Sequence, residues 1–170
     1  MPLIYTGVGA RITPPKALAK IEEIAAYFAT LGWILRSGGA EGADSAFENG
    51  CDKNNGLKEI YVPWRNFNYN PSRLLPTEEA MELAAITHPG WMFLKEGARK
   101  LHARNCHQIL GYDLKTPSDF VVCWTYEGAF RGGTATALTL AKKNNIPIYN
   151  LGIQGDIQNL RKFVKNAKQV

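Results

Sequence analysis

The stretch Ser37-Gly38-Gly39-Ala40-Glu41-Gly42-Ala43-Asp44 interrupts an apolar strand signal, Trp33-Ile34-Leu35, and leads into an amphipathic helical pattern beginning near Ala43. The same setting, strand before and helix after, recurs around Thr6-Gly7-Val8-Gly9 and around Gly132-Gly133-Thr134. A chain that repeats strand, glycine turn and helix is confined to α/β architectures, because single helices between strands make parallel crossovers.

In chain order, Leu3-Ile4-Tyr5 is a buried-strand signal stopped at Gly7 and Gly9. Thr13 before Pro14 and Pro15 marks a helix start with a threonine cap, and Leu18, Ile21, Ala25 and Phe28 form its apolar stripe. Trp33 to Arg36 is the second strand, and Ala43, Phe47 and Cys51 place one face of the next helix on the sheet. Lys58 to Val62 is the third strand, stopped by Pro63. Periodicity weakens over an insertion at about 63–95, which either covers a ligand or caps the structure. A helix from Lys95 to Leu110 follows, with Ala98, Leu101, Asn105 and Ile109 on one face. Asp119 to Trp124 reads as a central strand, Ile146 to Leu151 as a last strand placed at an edge by Pro147, and Asp156 to Lys168 as a closing helix. The prediction is a Rossmann-like, doubly wound parallel sheet of about five strands, order 3-2-1-4-5, with helices on both faces, in one domain over residues 1–170. All three glycine loops then meet at the switch point.

Composition narrows the partners. No run approaches the roughly 18 apolar residues of a membrane helix, and no secretory leader is visible at the start, so a cytoplasmic protein with no membrane partner is expected. Cys51, Cys106 and Cys123 are widely spaced and suit reduced core thiols. The net charge of +5 favours anionic ligands.

Glycine turns that feed helices expose backbone N–H groups beside the positive helix end, so they accept phosphate. Neither standard fingerprint is met: no Gly-Lys-Ser/Thr ending occurs, and Ile12 stands where the dinucleotide motif needs its third glycine. Asp44 either caps its helix or bonds a ribose hydroxyl. Arg104 is read as a phosphate clamp beside Asn105, with a surface salt bridge as the alternative. Trp124 and Tyr126 either stack on a base or join the core. His102 and Cys106 have metal-ligand spacing without further ligands nearby, so neither metal nor cofactor is expected.

Thr6-Gly7-Val8-Gly9-Ala10-Arg11 with Thr13-Pro14, followed by Leu35-Arg36-Ser37-Gly38-Gly39-Ala40-Glu41-Gly42-Ala43-Asp44, resembles the Smf/DprA–LOG (SLOG) superfamily of Rossmann-like proteins. The second motif is closest to the DprA branch, which binds single-stranded DNA. Gly132-Gly133-x-x-Thr136 resembles a motif of the LOG branch, whose members hydrolyse the N-glycosidic bond of nucleoside 5′-monophosphates. The resemblance implies a small stand-alone protein, of the kind common in phage and bacterial genomes, that forms a homo-oligomer. It also implies a nucleotide or nucleotide-derived ligand, or single-stranded DNA; joined with the reading of the loops and of Arg104, Asn105 and Trp124 above, the expected ligand-binding residues are Gly7, Gly9, Arg11, Ser37, Gly38, Gly39, Gly42, Asp44, Arg104, Asn105, Trp124, Gly132, Gly133, Thr134 and Thr136. Where the LOG pattern has its catalytic glutamate this chain has Thr139, and Ala135 replaces a glycine. Hydrolysis would therefore fall to another acid, Asp44 or Glu127, with Glu41 a further candidate.

Overall fold

The computed structural model describes residues 1–168. Five strands, β1 (Ile4–Gly9), β2 (Ile34–Ser37), β3 (Lys58–Ile60), β4 (Phe120–Trp124) and β5 (Ile148–Asn150), pair in parallel in the order β3-β2-β1-β4-β5. The order is the one expected from the sequence, with the reversal between β1 and β4. Among the described residues six α-helices flank the strands: α1 (Pro15–Thr30), α2 (Ala43–Lys53), α3 (Glu78–Thr87), α4 (Glu96–Leu110), α5 (Ala135–Lys143) and, after the last strand, α6 (Asp156–Ala167). None is long and apolar enough to cross a membrane among the described residues.

Each face of the sheet has its own core. Ile21 and Phe28 of α1, Phe47 of α2 and Leu160 of α6 fill one, while Ala84 of α3, Ala103 and Ile109 of α4 and Leu138 of α5 fill the other. β4 separates them with all five residues buried, as its unbroken apolar run predicts. Phe120 is the hub of the first core, its ring centroid lying 4.7 to 6.2 Å from those of Tyr5, Phe28, Trp33, Tyr149 and Phe163. Cys51, Cys106 and Cys123 are buried free thiols.

Three local expectations change. Trp33 lies outside β2: its amide donates to the Phe28 carbonyl at 3.2 Å, and its ring packs on that of Phe28 at 4.9 Å. Thr13 does not cap α1: its hydroxyl donates back to the Ala10 carbonyl at 2.6 Å, and Pro14 takes the cap position with its φ already suited to a helix start. In α4 the inward face runs through Ala103, Cys106 and Ile109, so Leu101 and Asn105 turn towards the strand ends instead.

The insertion after β3 forms a 3-10 turn at Phe67–Tyr69 and then pairs back through a bridge between Tyr61 and Leu74. Asn68 donates from Nδ2 to the Gly39 carbonyl at 3.0 Å, and Asn70 donates to Glu48 Oε1 at 2.8 Å. These bonds lay the segment over the end of β2. Thr77 caps α3 by accepting from the Ala80 amide at 3.2 Å, and α3 packs against α4.

Truncating the hub tests this arrangement. Phe120→Ala is expected to lower unfolding stability by about 3–5 kcal/mol, as for other buried phenylalanines, read as a shift in the urea midpoint.

Candidate functional site

The glycines of the first two loops permit close packing. A Cβ on Gly7 would lie 2.5 Å from the Phe47 ring, and one on Gly9 would lie 2.6 Å from Ala43 Cβ and 2.7 Å from the Trp124 carbonyl. Gly42, at φ +83°, abuts the Arg11 carbonyl, where a Cβ would stand at 2.5 Å. Backbone bonds complete the junction: the Ala43 amide donates to the Ala10 carbonyl at 3.3 Å, and the Ala10 amide to the Trp124 carbonyl at 3.1 Å. Ser37 Oγ donates to the Gly7 carbonyl at 2.6 Å. The β1–α1 turn, the N-terminus of α2 and the end of β4 are thus one rigid block.

Beside that block opens a cleft of about 370 Å³. Gly9, Arg11, Ala40 and Asp44 line it from the first two loops, and Arg131, Gly132, Gly133 and Thr134 from the third. Its remaining wall is one face of α4, Leu101, Arg104, Asn105 and Gln108, at helical steps of three and four. Of the site residues expected from sequence, Gly9, Arg11, Asp44, Arg104, Asn105, Gly132, Gly133 and Thr134 therefore meet at one opening. Gly7, Ser37, Gly38, Gly39, Gly42, Trp124 and Thr136 are not in its lining. Gly39 is roofed by Val62 and Asn70, Trp124 is 9% exposed within the core, and Thr136 Oγ1 is 2.6 Å from His102 Nδ1. Glu127 is exposed on a left-handed turn at φ 53°, outside the lining. Gln108 and Arg131 escaped the sequence reading, although Gln108 follows Arg104 by one helical turn and Arg131 precedes the third glycine turn.

Asp44 is the unusual group. It is 4% exposed, its Oδ2 accepts from the Ala40 amide at 3.4 Å, and its Oδ1 is buried without a hydrogen-bond partner. Burial pushes its carboxyl up to about 6, against the opposing influence of the Arg104 charge and of the Ala40 and Gly9 amides. Arg104 is also buried; it donates from Nη1 to the carbonyls of Gly38 and Tyr61 and from Nε to Asn105 Oδ1, while Nη2 has no acceptor among the described residues. Burial lowers its guanidinium to about 10, and it makes no ion pair with Asp44 within 4.0 Å. Gly38 lies between these two side chains, and any Cβ there would collide with Arg104 Nη1 and Asp44 Oδ2.

The third loop is held from α4. Asn105 Nδ2 donates to the Gly133 carbonyl, and His102 fixes Thr136 at the first turn of α5. Burial, with His88 and Arg104 nearby, lowers His102 to about 4, so the ring is neutral at pH 7. Between these anchors Gly132, at φ +70°, and Gly133 face open space, and neither amide has an acceptor among the described residues. No group of three His, Cys, Asp or Glu side chains able to hold a metal ion occurs among the described residues.

No protein-family model matches the chain, and no curated protein matches its sequence. Solved structures do match. The molybdenum cofactor carrier protein from Chlamydomonas reinhardtii superposes with a TM-score of 0.52 at 20% identity, over 98% of this chain and 87% of that one. DNA processing protein A from Helicobacter pylori superposes at 0.55 and 18% identity, over 95% and 72%. The Streptococcus pneumoniae DprA gives 0.55 and 17%, over 95% of this chain and 56% of that one. The likeness is one of fold: these proteins share the doubly wound, Rossmann-like parallel α/β architecture.

The raised Asp44 carboxyl carries a stability prediction. The folded chain keeps this proton up to about pH 6, whereas an unfolded aspartate releases it near 3.8. Stability is therefore lost as pH rises through that window. Asp44→Asn removes the loss, so it is expected to stabilise the chain by up to about 3 kcal/mol at pH 8 and by much less at pH 4, measured by chemical denaturation at both values.

Proposed function

We propose that this chain binds a nucleotide or related phosphoribosyl ligand in the cleft between its three glycine loops. The observation that carries the proposal is the unpartnered Asp44 Oδ1 at the cleft wall, opposite an open glycine turn. A buried carboxylate oxygen without a donor is costly, and a ligand hydroxyl or N–H supplies the missing bond to Oδ1. Gly132, Gly133 and the N-terminus of α5 receive the phosphate, with the exposed Arg11 and Arg131 at the rim and Arg104 Nη2 within. Gln108 adds an amide beside Asp44. Among proteins of this fold, one carries the molybdenum cofactor and another binds single-stranded DNA, which supports a binding site at this sheet edge.

Calorimetry with a panel of nucleoside phosphates tests the proposal. Arg131→Ala and Gly132→Val are each expected to weaken the best ligand by about tenfold or more, the first by removing a charge-assisted bond and the second by straining a positive-φ position. Saturable binding that neither substitution alters would overturn the assignment of the third loop, and no binding across the panel would overturn the ligand class. A short single-stranded oligonucleotide belongs in the same series: a steep fall of affinity with salt would indicate many neutralised phosphates, against a shallow one for a mononucleotide.

The titration of Asp44 near 6 favours a second reading, hydrolysis of an N-glycosidic bond with Asp44 as the acid–base group. It predicts free base released from a nucleoside monophosphate by the wild type and none from Asp44→Asn. Chromatography showing intact nucleotide after prolonged incubation with wild type rejects that reading and leaves binding standing.

A further inference from the structure

On the α1/α2/α6 face of the sheet a groove of about 720 Å³ separates α1 from α6, nearly twice the volume of the loop cleft. Phe28, Leu160 and Val164 are apolar groups along it, while Arg161, Lys165 and Lys168 are cations along the α6 side. Lys20 is neutralised by Glu23 at 2.9 Å, and Lys168 donates to Tyr27 Oη at 2.7 Å, but Arg161 and Lys165 meet no acid among the described residues.

The opposite face carries the complementary surface. On α3 the exposed Glu78, Glu82 and Ile86 recur at steps of four, with exposed Glu79 beside them, and none of the three glutamates makes an ion pair among the described residues. Ile86 is 79% exposed, and the 3-10 turn after α3 adds Met92 and Phe93 at 85% and 90%. Three large apolar side chains standing almost free of their own chain next to unpaired acids mark an interaction surface.

We infer that this chain self-associates head to tail, the acidic, apolar α3 ridge of one copy seating in the cation-rimmed groove between α1 and α6 of the next. A net charge of +5 makes copies of the chain repel, so a self-contact is favoured where it joins patches of opposite sign, and ridge and groove supply them. The two patches are different surfaces on opposite faces of the sheet. The contact is therefore heterologous and closes into a ring or continues as a filament, unlike a two-fold dimer.

Sedimentation velocity on three proteins tests this. Wild type is expected to associate reversibly with concentration and to dissociate with added salt. Arg161→Glu with Lys165→Glu cripples only the groove, and Glu79→Lys with Glu82→Lys cripples only the ridge; each pair is expected to weaken association by about tenfold or more. Mixed in equal amounts, the two variants retain one intact ridge and one intact groove between them, so they should form a 1:1 dimer that grows no further. Unchanged circular dichroism and unchanged affinity for any ligand of the loop cleft separate this result from misfolding and from the cleft assignment. A monomeric wild type at the highest soluble concentration, a mixture that stays monomeric, or a self-association indifferent to both charge reversals would each overturn the proposal.

Discussion

The close approach of α2 to β1 is the constraint on which the rest of the site depends. Phe47 lies against Gly7 and Ala43 against Gly9, at separations that a side chain on either glycine would destroy. Because α2 comes this near, its first turn can bond to the β1–α1 loop through the Ala43 amide and the Ala10 carbonyl. That bond fixes Asp44, one residue further on, inside the protein and not at a solvated helix end. Glycine in the first loop therefore acts before any ligand is considered: it sets the depth of a carboxylate.

Depth then decides the chemistry. An aspartate in the first turn of an exposed helix is stabilised by the helix dipole and stays ionised. Here the same position is buried, the Ala40 amide reaches Oδ2 over a long bond, and desolvation outweighs the Arg104 charge and the Ala40 and Gly9 amides together. Arg104 does not complete a pair, because its Nη1 is committed to the Gly38 and Tyr61 carbonyls. The result is a buried acceptor, Asp44 Oδ1, that Arg104 does not satisfy. Such an acceptor is costly in the empty protein and becomes favourable when a ligand donates to it.

Strand order, helix order and the meeting of three loops were legible in the sequence because each follows from a repeating pattern and a topological rule. The distribution of roles among the glycines was not. Gly38 and Gly39 read as an open phosphate turn from local spacing, but Asn68 and Asn70 of the insertion roof that turn, and nothing in the spacing of Ser37 to Asp44 announces a contact some thirty residues away. Gln108 went unseen for a related reason. α4 is buried all round from His102 to Leu110, so the polarity of its cleft-facing stripe is interleaved with core residues and gives no clean period. Trp124, by contrast, had two open readings from sequence, and its place in the core follows from β4 being covered on both sides.

The distribution of acids limits what the cleft can do without help. Thr139 stands in α5 where the resembled hydrolases have a glutamate, and Glu127 projects from an exposed turn outside the lining. Asp44 is thus the sole carboxylate among the cleft-lining residues. Glycoside cleavage in its common forms divides the work between two carboxyl groups on opposite sides of the bond, one to protonate the leaving group and one to stabilise or attack the sugar carbon. A single carboxylate cannot hold both roles in one step unless the substrate brings the second group itself. Binding makes no such demand: it needs one acceptor to be satisfied, one cationic surface for phosphate and one glycine turn with free amides. Asp44, the three arginines and Gly132–Gly133 already supply all of these.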